Sequence, residues 1–107
     1  MLKLLAVLAV ALAPGLASAQ DDFNVLKGTI AAFECGDNCY LTVDFGKAGK
    51  LVGLCVAPEC ESWNAKTTIP KKLIGAKVTV AVGTGDQYQG GDTPVPAVAF
   101  TMVTVKS

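Results

Sequence analysis

The chain has 107 residues, with nine lysines balanced by nine acidic residues, and it contains no histidine and no arginine. Arginine is the preferred residue for bidentate contacts to phosphates and guanine edges, so its absence and the near-neutral charge exclude a dedicated nucleic-acid binder. The absence of histidine removes the commonest general base and metal ligand.

The N-terminal stretch MLKLLAVLAVALAPGLASA has the order of a secretory signal peptide. Lys3 precedes an apolar run that is broken at Pro14, and the small residues 17–19 follow. The apolar run is too short to span a hydrocarbon core of about 30 Å. We therefore predict that residues 1–19 are removed, that residues 20–107 form one domain, and that this domain is periplasmic or secreted, with no membrane insertion after the leader is lost.

Three strands are predicted in the first half of this domain. The segment VLKGTIAAFEC is rich in β-forming residues and gives the first strand. In CYLTVDFG the alternation predicts a half-buried second strand, with Tyr40, Thr42 and Asp44 on its outer face. LVGLCVA gives the third strand, with Val52, Leu54 and Val56 predicted inward and Cys55 outward. Short connections indicate that the three strands form an antiparallel meander.

The second half of the domain is predicted to contain a short helical connector and two more strands. Period-two alternation is lost from Pro58 to Ile74, and we expect a helical turn near residues 59–64. GAKVTVAVG predicts a fourth strand with its valines inward. The polar loop TGDQYQGGDTPVP then leads to the fifth strand, AVAFTMVTVK.

This order of elements resembles the OB-fold, and the chain is similar in general appearance to small exported bacterial proteins of that kind. The resemblance is carried by VLKGTI in the first strand and by IPKKLIGAKVTVAVG, where a connector ends at Gly75 and starts the fourth strand. It covers most of residues 23–106. It implies an all-β fold, a small five-stranded Greek-key barrel with a short helical connector between strands 3 and 4. Another small barrel or sandwich with the same strand count is the alternative.

The four cysteines are predicted to form two structural disulfides. Their spacing is C-x3-C in ECGDNC and C-x4-C in CVAPEC. An even number of cysteines in a short exported chain is typical of disulfide staples. Metal binding and redox chemistry are the alternatives, but the knuckle glycines of a zinc site and the C-x-x-C spacing of a thioredoxin-like centre are both missing.

The pairing of the cysteines is less constrained, because a meander brings all four to one end of the barrel. We favour Cys35 with Cys39 and Cys55 with Cys60. A bridge from Cys39 to Cys55 is disfavoured because the predicted alternation places these two residues on opposite faces.

No catalytic residue is predicted, because Ser62 and Ser107, the serines of residues 20–107, have no histidine to activate them. We expect no enzyme activity, no cofactor and no metal. The function expected instead is a non-catalytic exported binding module for a peptide, a glycan or an envelope protein. Its candidate ligand-binding residues are Tyr40, Thr42, Asp44 and Tyr88, since tyrosines among polar side chains can stack on a ligand. The alternative is a thiol-disulfide or metal-handling protein that uses the cysteine cluster.

Overall fold

A computed structural model describes residues 25–106, so the predicted leader and cleavage site lie outside the described residues. In this region five strands and one α-helix follow one another along the chain, with 3₁₀ turns at Gly46–Ala48 and Lys71–Leu73. The elements are β1 (Val25–Cys35), β2 (Cys39–Asp44), β3 (Lys50–Cys55), α1 (Cys60–Lys66), β4 (Lys77–Gln87) and β5 (Val95–Val105).

The strands close into a barrel in the order β1-β2-β3-β5-β4. The predicted meander is confirmed, since β1 pairs antiparallel with β2, and β2 pairs antiparallel with β3. Closure comes from antiparallel pairs of β4 with β1 and with β5, and from a short parallel contact of β3 with β5. This is the all-β, five-stranded, OB-like barrel that the sequence predicts, with its short helix between the third and fourth strands.

The barrel interior holds a small apolar core. Its largest fully buried side chain is Phe100 of β5, which is packed among leucine, isoleucine and valine side chains of the other strands. The helix α1 adds Trp63, which packs against this core and meets Phe33 edge-on at a centroid distance of 6.2 Å. Trp63 therefore covers part of the core. Such additional burial contributes to stability, because a domain of this size buries only a modest share of its surface on folding.

The predicted orientation of β3 is wrong. Val52 is 55% exposed and Val56 is 49% exposed, whereas Cys55 is only 2% exposed and belongs to the core. Leu41 and Val43 of β2 are buried and stand opposite Gly53 and Leu51, so the odd-numbered residues of β3 point inward. Gly53 is an inner residue although it has no side chain, so the hydrophobic pattern does not reveal its position. The ring of Phe100 fills the space there, 3.0 Å from the place where a Cβ would stand.

The β4–β5 hairpin is longer than the sequence predicts. The stretch TGDQ, predicted as loop, continues β4 to Gln87, and β5 begins at Val95. The register of the pair shifts between Ala81 and Val82, and beyond this bulge the two strands continue together as an arm, which we define as residues 84–98. Bulges bend the strands that contain them, so we expect the hairpin to bend at this point.

Candidate functional site

Both disulfides are present at the helix end of the barrel, with the predicted pairing. Cys35 is bonded to Cys39, directly opposite it in the β1–β2 pair, and Cys55 is bonded to Cys60 at the start of α1. The predicted pairing is confirmed. One argument for it was wrong, because Cys55 is buried in the core and does not point outward, as the argument against a Cys39–Cys55 bridge assumed. The bridges differ in exposure, since the first is half-buried whereas Cys55 and Cys60 are only 2% and 0% exposed.

The three candidate residues of β2 lie on the outer face of the barrel. Tyr40, Thr42 and Asp44 alternate with the buried Leu41 and Val43, and each is half-buried. Their partners across the β2–β3 pair are Leu54, Val52 and Lys50 respectively. Asp44 lies four positions after Tyr40 along the strand, which corresponds to a distance of about 13 Å. The predicted site is therefore a strip whose two ends have different surroundings.

The tyrosine end of this strip is joined to the tip of the arm by Asn38. The Asn38 side-chain amide nitrogen donates to the Tyr88 carbonyl oxygen at 2.7 Å, and the Tyr88 backbone N–H donates to Asn38 Oδ1 at 3.1 Å. The same amide nitrogen lies 3.2 Å from the Tyr40 hydroxyl oxygen, to which it donates. One side chain in the β1–β2 turn thus holds together Tyr40 and Tyr88, which are far apart in sequence.

The arm lies directly against the outer face of β3 at Gly85, next to its hairpin neighbour Ala99. A Cβ at Gly85 would stand 2.9 Å from Cβ of Ala99 and 3.3 Å from Cδ1 of Leu54. This contact explains why Leu54 and Ala99, which point away from the barrel interior, are 3% and 0% exposed. The arm therefore forms one wall beside the outer face that carries Tyr40.

The side chain of Tyr88 remains available to a ligand. Its backbone makes both bonds to Asn38, while its side chain is 44% exposed. Because the contact to the turn uses main-chain atoms alone, the position of the ring does not depend on any bond of its hydroxyl to Asn38. An exposed ring held on a fixed backbone is suited to stacking on a ligand.

The Asp44 end of the strip has a different environment. Asp44 Oδ1 accepts the backbone N–H of Gly46 at 2.8 Å, so the carboxylate stabilises the turn that follows β2. Asp44 also lines a groove of about 840 Å³ on the outer surface, together with Lys27, Lys77 and Lys106. The structure therefore brings Tyr40 and Tyr88 together and places Asp44 beside a separate group of lysines.

Asn38 and the three groove lysines were not among the candidate residues predicted from the sequence. Asn38 bonds to Tyr88, which is 50 positions away in the sequence. Lys27, Lys77 and Lys106 come from β1, β4 and the end of β5, which become neighbours only when the barrel closes. The lysine content gave no sign of this clustering. Only the order of the strands in the barrel shows that these lysines are neighbours.

Replacing Asn38 with alanine is expected to release the arm without unfolding the barrel. The change removes two hydrogen bonds to the Tyr88 backbone, and we expect a loss of about 1 kcal/mol in the free energy of unfolding. The amide of Tyr88 should exchange with solvent faster, as measured by hydrogen exchange with NMR detection. Asp37→Ala, in the same turn, is the control and should leave that exchange unchanged. Equal protection of the Tyr88 amide in Asn38→Ala would contradict the assigned bridge.

Comparison with known protein families, curated proteins and solved structures finds no match to this chain. Within residues 25–106, no three histidine, cysteine, aspartate or glutamate side chains are grouped closely enough to hold a metal ion. Over the same range, no helix has the length and apolar character needed to cross a membrane. The function must therefore be argued from the surface itself.

Proposed function

We propose that the protein is a non-catalytic binding module that works in the periplasm or outside the cell, and that its ligand contacts the outer face at Tyr40 and Tyr88. The carrying observation is the bridge made by Asn38, which fixes the backbone of Tyr88 beside the hydroxyl of Tyr40. Because the β1–β2 turn and the tip of the arm are joined before the ligand arrives, less conformational entropy is lost on binding. Thr42, next along the strand, extends the polar part of this surface.

Among the expected ligands, a peptide, a glycan or an envelope protein, the residues favour a glycan. A sugar ring presents an apolar face that can stack on an exposed aromatic ring, and its hydroxyl groups require polar partners close by. Tyr88 supplies the exposed ring, while the hydroxyls of Tyr40 and Thr42 supply polar groups on the neighbouring strand. The exposed Val52, opposite Thr42, provides apolar surface that a peptide could use instead.

Export is part of the proposal. Two intramolecular disulfides are compatible with an oxidising, extracellular environment. The expected signal peptide supplies the route. The intact mass of the exported product, measured before and after reduction and alkylation, tests both parts together. A mass that still includes residues 1–19, or free thiols before reduction, would contradict export by this route.

The test of the binding face is a screen of the purified domain against glycan and peptide arrays. We expect a glycan ligand whose affinity falls about five- to tenfold in Tyr88→Ala, because losing one stacked ring corresponds to roughly 1 kcal/mol. Tyr88→Phe is the matched control and should retain most of the affinity, since it keeps the ring. Both variants keep the backbone bonds to Asn38. Binding that is indifferent to both Tyr40→Ala and Tyr88→Ala would refute the proposed face.

The second candidate function, thiol-disulfide exchange, is favoured by one observation. The Cys35–Cys39 bridge is half-buried and so within reach of an external thiol, unlike the buried Cys55–Cys60 bridge. An exchange function predicts catalytic turnover of a disulfide substrate in the presence of a reducing dithiol, and loss of this turnover in the double variant Cys35→Ala, Cys39→Ala. A metal-handling function would require reduced thiolates, and stoichiometric zinc in the purified protein would favour it.

A further inference from the structure

The groove beside Asp44 has the size and lining of a small-molecule site, and it is distinct from the tyrosine end. It has a volume of about 840 Å³ and lies across β1, β4 and β5. Ligand pockets are typically about 300–1,000 Å³. Lys27, Lys77 and Lys106 line it together with Phe45 and threonine side chains.

The strand register explains why the three lysines converge. Lys27 of β1 stands opposite Thr79 of β4, and Lys77 stands opposite Thr29 of β1. Val78 of β4 pairs with Val105 of β5. Directly beyond this pair, the Lys106 backbone N–H donates to the Lys77 carbonyl oxygen at 2.9 Å, so Lys106 lies beside Lys77. Residues opposite each other in antiparallel strands point to the same face. The three lysines therefore share one patch of the outer surface.

Such an arrangement is unfavourable without a counter-charge. Lys77 and Lys106 are cross-strand neighbours, and Lys27 is on the diagonal from Lys77, so three lysines occupy neighbouring positions on adjacent strands. Like charges on neighbouring strands destabilise a sheet. Asp44 is the carboxylate among the described groove residues, and one of its oxygens already accepts the Gly46 N–H. A positive patch remains, which an anion can neutralise.

The rest of the lining is suited to an apolar group. Phe45 is half-buried and packs against the barrel core, so part of its ring remains open to the groove, whereas the side chain of Val78 is buried in the core. Lysine side chains also contribute their methylene stems to such a surface while their ammonium groups stay at the rim. A ligand with an apolar body and one negatively charged head would use both parts of the groove.

We propose that this groove binds a small amphipathic organic anion, with the apolar body against Phe45 and the lysine stems and the carboxylate, sulfonate or phosphate head among the ammonium groups of Lys27, Lys77 and Lys106. The charge of the patch selects the head, and the size of the groove accommodates a body of one or two rings or a short acyl chain. This site does not depend on the glycan face. Its failure leaves the proposal for Tyr40 and Tyr88 untouched.

The experiment compares two fluorescent probes that differ only in charge. Anilinonaphthalene sulfonate carries a sulfonate, and N-phenyl-1-naphthylamine is the same molecule without it. We expect the sulfonate probe to bind more tightly to the folded domain, with a preference that shrinks as ionic strength rises. In the double variant Lys77→Gln, Lys106→Gln the Kd of the sulfonate probe should rise about tenfold, because two charge-assisted contacts are lost. Binding of the neutral probe should be unchanged.

Two further variants separate a specific site from general surface charge. Lys72→Gln removes an exposed lysine that does not line the groove, and it should leave both probes unaffected. Asp44→Asn removes the carboxylate but keeps the oxygen that accepts the Gly46 N–H, so the sulfonate probe should bind about two- to threefold more tightly. A Lys72→Gln effect as large as that of the groove variant, or equal affinity for the two probes, would overturn the proposal.

A competition experiment identifies the source of the ligand. Dodecanoate below its micelle concentration should displace the sulfonate probe if the site takes a free amphipathic anion. Co-sedimentation with vesicles that contain phosphatidylglycerol, lost in the double lysine variant, would instead indicate that the anionic head belongs to a membrane lipid. Failure of both ligands to compete or to bind would contradict an amphipathic anion as the occupant.

Discussion

Gly28→Ala is expected to lower the free energy of unfolding by about 3 kcal/mol, at the upper end of the cost of overpacking a core. A Cβ at Gly28 would stand 2.5 Å from the Asp44 carbonyl oxygen and 2.9 Å from both Phe45 Cδ1 and Val43 Cγ1. The oxygen belongs to the backbone of β2, so no side-chain rotation relieves the clash. β2 would have to move away from β1.

The position of Gly28 explains why such a close approach is needed. β1 pairs with β4 through its first half and with β2 through its second half, and Thr29 faces a partner on each side. Gly28 therefore lies where the strand passes from one neighbour to the other, and closure of the barrel brings three strands together there. A glycine inside a strand is typical of a site where another backbone approaches closely.

Urea unfolding measures this effect, with an unchanged m-value as the sign that the two-state comparison is valid. Gly36→Ala is the matched control. Among residues 25–106, no atom lies within 4 Å of the Cβ position at Gly36, and the φ of Gly36 is not in the left-handed region. The free energy of unfolding of Gly36→Ala should therefore differ from that of the unchanged protein by less than about 0.5 kcal/mol. An unfolding midpoint for Gly28→Ala equal to that of Gly36→Ala would mean that β1 and β2 are not packed as described.

The order of the predicted elements was sufficient to predict the fold, whereas β3 shows where hydrophobic alternation fails to predict which face of a strand is buried. In β2 the buried residues are Leu41 and Val43, which are both large and apolar, so the pattern and the register agree. In β3 the inner row is Leu51, Gly53 and Cys55, and the outer row contains Val52 and Leu54, so hydrophobicity favours the wrong face. The reason is that Phe100 fills the space over Gly53, and the arm covers Leu54 from outside. Both contacts come from distant parts of the chain.

The candidate sites show the same division between local and distant information. The outward position of Tyr40 follows from its own strand and was predicted. Its association with Tyr88 depends on Asn38 and on the bend in the β4–β5 hairpin, which no local pattern encodes. The lysine groove depends on strand order alone. Sequence patterns therefore predicted the faces of β2 and β4 correctly and that of β3 wrongly, and the structure was needed to combine faces into sites.

Removing the buried disulfide by the double change Cys55→Ala, Cys60→Ala is expected to cost at least about 3 kcal/mol. Loss of the loop constraint accounts for about 2 kcal/mol in the chain-entropy model. The void left by two buried sulfur atoms adds about 1 kcal/mol or more, because Cys55 and Cys60 are part of the apolar core. A domain of this size has a stability of roughly 5–10 kcal/mol, so this loss is a large fraction of the total.

The other bridge provides the comparison that separates the two contributions. Cys35 and Cys39 close a loop of similar length, but both are half-buried, so Cys35→Ala, Cys39→Ala should cost about 2 kcal/mol, the loop term alone. Urea midpoints of the two double variants measure the difference directly. Exposure also predicts that dithiothreitol opens Cys35–Cys39 first under native conditions, which mass spectrometry after alkylation can follow. Equal stability losses and simultaneous opening of both bridges would show that burial of the Cys55–Cys60 bridge contributes nothing, and that the staples act only on the unfolded chain.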